Sequence, residues 1–92
     1  MIVGPNDLRA QTWQTLRNID TAMHIVGGVL LDVVSMRIYI VESVLDESKH
    51  ISEALKEFFT TQQAPATMWI GVSSLANKGF LIEIEAIAVI NE

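Results

Sequence analysis

Leu81-Ile82-Glu83-Ile84-Glu85-Ala86-Ile87-Ala88-Val89-Ile90 decides how the rest of the chain is read. Side chains along a strand alternate between faces, so Ile82, Ile84, Ala86, Ala88 and Ile90 make one wholly apolar face. Leu81, Glu83, Glu85, Ile87 and Val89 share the other. The sequence therefore predicts a strand buried on both sides, with helices over one face and a second sheet or subunit over the other. Two carboxylates on an otherwise apolar ribbon then mark an interface or a binding cleft.

Upstream, the pattern predicts helix, strand, helix, strand before this last ribbon. Asn6-Asp7 supplies a side-chain acceptor for a helix start. A helix over about Asp7 to Val26 follows, with Leu8, Thr12, Leu16, Ile19, Met23 and Val26 at three- and four-residue steps as its buried stripe. Gly27-Gly28 stops it. Val33 to Val41 is dense in β-branched residues and alternates Val34, Met36, Ile38 and Ile40 against Ser35, Arg37 and Tyr39, which reads as a strand. Asp46 is placed to cap a second helix running to about Thr60, with Ile51, Ala54, Leu55, Phe58 and Phe59 inward. Gln62 to Pro65 ends that helix. Ala66 to Val72 is a further strand, and Ser73 to Gly79 a loop that delivers the last strand from Phe80. The expected class is α+β, with two helices packed on one face of a sheet.

Ninety-two residues make one domain, residues 1–92, with a thin stability margin as a monomer. Half of them are hydrophobic, more than so small a core can hide, which predicts a homo-oligomer. No apolar run reaches the roughly 20 residues a membrane span needs. No basic, apolar, small-residue leader is present. The sequence has no cysteine, which removes disulfides, thiolate metal sites and cysteine nucleophiles and suits a reducing, cytoplasmic setting. Net charge is -5, and Arg9, Arg17, Arg37, Lys49, Lys56 and Lys78 are scattered along the chain, so no nucleic-acid partner is expected.

Ala10-Gln11-Thr12 with Leu16, Asn18 and Ile19, then Asp32-Val33-Val34, Phe58-Phe59, Pro65-Ala66 and Ile82-Glu83-Ile84-Glu85-Ala86-Ile87-Ala88-Val89 occur in an order and spacing that resembles the Rid/YjgF family. These small trimeric proteins, also labelled endoribonuclease L-PSP-like, hydrolyse reactive imines and enamines or bind small metabolites. The resemblance spans nearly the whole chain. It implies a chorismate-mutase-like sandwich of two helices on a mixed sheet, and a homotrimer whose inter-subunit clefts take a small carboxylate-bearing metabolite. Family members begin with a β-hairpin ahead of the first helix. This sequence starts almost at that helix, which implies an N-terminally shortened sheet whose open edge is patched by Met1 to Val3, is paired with another chain, or reflects a truncated reading frame.

One departure bears on chemistry. Family enzymes read Pro-Ala-Arg where this chain has Pro65-Ala66-Thr67. The arginine grips a substrate carboxylate through paired hydrogen bonds, and a threonine hydroxyl cannot. Losing a charge-assisted contact costs roughly 1.5 to 3 kcal/mol. Glu83 matches the glutamate that positions the attacking water, a role that suits a carboxylate in an apolar cleft. Its structural alternative is a hydrogen bond across a subunit interface. The resemblance thus implies a small-metabolite binder with imine/enamine deaminase activity lost or altered. The alternatives are an active deaminase that uses Glu83 to orient water, and an interaction module without a ligand.

Four further residues are candidates for lining the pocket. Thr67 occupies the arginine position, and Trp69 could stack on a flat ligand, although tryptophan on such a strand ordinarily packs. Tyr39 could place its hydroxyl in the cleft. Ser52 falls about where relatives carry an asparagine, with simple solvation on a helix surface as the plainer reading. His24 and His50 sit on separate helices without partners at metal-ligand spacing, so no metal is expected. Gly27-Gly28 follows a helix and lacks phosphate-loop spacing, so no nucleotide cofactor is expected either. No Ser-His-acid triad can be read.

Overall fold

The computed structural model describes residues 4–60 and 64–90. Helix α1 spans Leu8–Ile25, strand β1 Val33–Val41, helix α2 Lys49–Phe58, strand β2 Ala66–Val72 and strand β3 Ile82–Ala88; short 3-10 turns occupy Leu30–Asp32 and Glu42–Glu47. The sheet order is β2-β1-β3. β1 pairs in parallel with β2, which requires the crossover that α2 supplies, and antiparallel with β3. This is the α+β arrangement the sequence predicts, with a mixed sheet.

Asp7 caps α1, its Oδ1 accepting from the Ala10 amide at 3.0 Å. At the other end Gly27, with φ +82°, turns the chain while the Gly28 amide donates to the Met23 carbonyl at 2.8 Å and the Gly27 amide to that of His24. This paired reversal satisfies carbonyls that a helix end leaves open. A side chain at position 28 would collide with Met23 and approach Asp32 and Ile90, so the turn packs tightly against the start of the sheet. Asp32 then accepts from the Val29 amide and launches β1. A register shift between Val33 and Ser35 marks a bulge at Val34.

The core lies between the helices and one face of β1 and β3. Leu8, Leu16 and Met23 of α1 and Ile51 and Ala54 of α2, with Phe59 just beyond it, meet Met36, Ile38, Ile40 and Ile82. Ile84, Ala86, Ala88 and Ile90 complete that face half-buried. Thr12 is fully buried and returns its hydroxyl to the Leu8 carbonyl at 2.7 Å.

Several sequence expectations are corrected. Val26 is 62% exposed, because Met23 is the last residue of α1 to reach the core and the chain reverses at the glycines. Leu55 and Phe58 pack against the core as the sequence predicts, each half-buried. Asp46 does not cap α2: it lies inside the kinked 3-10 stretch, and Ser48 takes the cap position. β3 begins at Ile82 and not at Phe80. Within one chain β3 is covered on one side only, with Ile87 53% and Val89 59% exposed. Gln62 and the lead Met1 to Val3 lie outside the described residues.

Gln11 is a polar residue in this core, only 5% exposed. Its Nε2 donates to the Gly79 carbonyl at 3.0 Å and to that of Gly4 at 3.2 Å, while its Oε1 accepts from the Leu81 amide at 2.8 Å. One side chain ties the approach to α1 and the loop before β3 to the first helix. Gln11→Leu keeps the volume but strands these groups, so it should lower the urea midpoint by the equivalent of about 2 kcal/mol with an unchanged slope. An unaltered midpoint would show that the clamp contributes nothing.

Candidate functional site

Register assigns the candidate residues to faces. Thr67, Trp69 and Gly71 stand opposite Met36, Ile38 and Ile40, so they share the helix side of the sheet. The helices cover β1 and β3 there and leave β2 bare: Thr67 is exposed and Trp69 is 38% exposed. The two residues are joined, the Trp69 indole Nε1 donating to the Thr67 hydroxyl at 3.0 Å. The position where the family resemblance implies an arginine thus holds a hydroxyl that already accepts from its neighbour.

The other face is open. Three rows of side chains cross it: Ala66, Ser35 and Ile87; then Met68, Arg37 and Glu85; then Ile70, Tyr39 and Glu83. Glu83 and Glu85 are both exposed within one chain. Arg37 and Glu85 approach to 3.6 Å, each about half exposed, a weak cross-strand pair in water. Tyr39 lies directly opposite Glu83. Ser52, half-buried, belongs to α2.

The five sequence-predicted residues therefore do not meet inside one protomer. Thr67 and Trp69 stand on the helix side, while Tyr39 and Glu83 stand on the open side with the sheet between them. Arg37, on a different strand from Thr67, occupies the row next to that of Glu83 on the same face. Strand alternation puts Arg37 and Tyr39 on one face, and the antiparallel register brings both to the glutamates.

A second cluster was not foreseen. Arg9, Trp13 and Arg17 follow at four-residue steps on α1, and both guanidinium carbons lie within 6 Å of the Trp13 ring centroid, at 5.8 and 5.9 Å. The ring packs on Phe58 of α2 with centroids 4.9 Å apart and planes tilted by 53°. Cations scattered in sequence are gathered here by helical spacing. His24 sits near Asp20 at the end of α1, and among the described residues no group of acids and histidines could hold a metal ion. No helix among them is long and apolar enough to cross a membrane.

The family model described as endoribonuclease L-PSP matches residues 1–90. The chain belongs to the Rid/YjgF family. Among solved structures, the Rid family protein YyfB of Yersinia pestis is 36% identical, with a TM-score of 0.88 over 96% of this chain and 66% of its own. A YjgF-family member from Mycobacterium tuberculosis is 34% identical with a TM-score of 0.84, covering 91% of this chain and 69% of the other. E. coli TdcF, solved with bound serine, is 31% identical with a TM-score of 0.81, covering 92% and 66%. A RutC family protein of Pyrococcus horikoshii is 35% identical over 82 residues, 89% of this chain and 62% of that protein. The chain thus spans somewhat under two thirds of the curated relative's length.

The Trp13–Phe58 stack is the main aromatic link between the helices of this Rid-type domain. A double-mutant cycle on Trp13→Ala and Phe58→Ala, followed by urea unfolding, should return a coupling of about 1 kcal/mol. Strictly additive losses would mean that the rings merely lie near each other.

Proposed function

We propose that this Rid-type chain forms a homo-oligomer, a trimer by analogy with its family, that binds a small carboxylate-bearing metabolite in clefts between protomers. Its imine/enamine hydrolysis is lost or altered. The observation that carries this reading is Thr67. The arginine position holds a neutral hydroxyl engaged with Trp69, so the strong anchor for a carboxylate is missing on that strand. The opposed placement of Thr67 and Glu83 supports a site completed by a neighbouring chain, because no single protomer brings the two together. The serine bound to TdcF supports an amino-acid-like ligand class.

Hydrolysis of an imine adds water to the C=N carbon and releases a carbonyl compound and ammonia. The test supplies imines from an amino-acid oxidase and follows ammonia. The proposal predicts no acceleration by the protein as it stands and a gain on Thr67→Arg. Robust turnover by the unaltered chain contradicts it.

Arg37 favours a second reading, in which hydrolysis persists with different donors. Its guanidinium shares the open face with Glu83, one row away. In that case the unaltered chain turns over and Glu83→Gln abolishes ammonia release without changing the sedimentation profile.

A further inference from the structure

β1 and β2 run parallel and finish side by side at Val41 and Val72. Beyond that point they part: β1 enters the 3-10 turn that begins at Glu42, and β2 enters the loop leading to β3. Diverging chains at the carboxyl ends of parallel strands leave a crevice, a favoured place for ligands in open sheets. Here the crevice is a cavity of about 580 Å³, a size suited to a small molecule.

Its lining is of two kinds. Ser43, Ser73 and Ser74 contribute hydroxyls and Lys78 an ammonium, while Leu75 and Phe80 supply apolar wall. Among the described residues no acid lines it. Among the described residues Lys78 forms no ion pair, although the chain carries a net charge of -5. Phe80 remains 41% exposed, a cost in water that a ligand's alkyl part would relieve.

The wall that carries Lys78 is braced. Gln11 holds the Gly79 carbonyl and the Leu81 amide, the Asn77 side chain accepts from the Gly79 amide at 3.1 Å, and the Phe80 amide returns to the Asn77 carbonyl. A loop fixed this way presents its side chains without a large ordering cost on binding.

We propose that this crevice is a second small-molecule site, separate from the cleft around Thr67, that takes a short-chain monocarboxylate. Lys78 meets the charge, the serine hydroxyls donate to the remaining oxygen, and Leu75 and Phe80 hold the alkyl chain. One cation and no acid select a single negative charge. Thr67 lies five residues before Val72, about 17 Å away along an extended strand, so one small ligand cannot occupy both places.

The test titrates sodium acetate, sodium butyrate and butylamine into the ¹⁵N-labelled full chain and follows amide shifts. Butyrate should move the amides of residues 73–80 and leave those of Thr67 and Trp69 in place. It should bind about fourfold more tightly than acetate for each added methylene. Butylamine should move none of them. Lys78→Gln, an exposed change whose spectrum itself reports the fold, should weaken butyrate about tenfold or more. Leu75→Ala should shrink the difference between butyrate and acetate. Shifts centred on Thr67 and Trp69, an unchanged affinity in Lys78→Gln, or no shift at tens of millimolar butyrate would each overturn the proposal. The amide map separates this result from any failure of the cleft reading, whose anchor position, Thr67, lies at the opposite end of β2.

Discussion

The structure depends on β1, the strand hydrogen-bonded along both edges. Its alternation assigns Met36, Ile38 and Ile40 to the helices, and every neighbouring residue inherits a side from it through the register. A one-residue slip would exchange Ile38 for Arg37 in the core, so the apolar set enforces the pairing. The consequence is a sheet with one face sealed over β1 and β3 and the other open. Ile87, Met68 and Val89 remain more than half exposed on the open side, alongside the charged row of Arg37 and Glu85. Apolar surface of this kind on a small domain is what an associating protein presents.

Two local devices hold this sheet against the helices. The glycine reversal after α1 and the Gln11 clamp work at opposite ends of that helix, and both satisfy backbone groups that the short elements leave unpaired. The clamp also connects core to function. By holding Gly79 and Leu81 it shapes the approach to β3, and thereby the crevice at the carboxyl ends of β1 and β2. The edge strand β2 is bare near its start, where Thr67 and Trp69 interact with each other instead of with the core.

Most of this architecture was legible in the sequence. The bounds of β1 and β2 are legible, because β-branched residues crowd Val33 to Val41 and Pro65 marks where the chain enters β2, although the bulge leaves Val34 exposed where alternation places it with Met36. The family resemblance is also carried by residues, through the order and spacing of several segments together. Periodicity could not show how far a helix stays against the core, which is why Val26 was assigned inward. Nor could it separate a 3-10 stretch from the cap of a helix at Asp46, since both begin with polar and acidic residues. Gln11 stood inside a recognised signature, but its role depends on carbonyls and an amide up to 70 positions away. For the candidate site, residue types were readable and juxtapositions were not. Which face Thr67 and Glu83 occupy follows from strand pairing, and only that pairing brings Arg37 beside the glutamates.

In the proposed assembly further copies of the chain cover the open face of this sheet and complete the site. Sedimentation equilibrium on the purified protein tests it most directly. A species several times the 10.2 kDa protomer, trimeric if the family's assembly is kept, is the predicted result. A well-folded species sedimenting at the mass of one protomer across the accessible concentration range would contradict it.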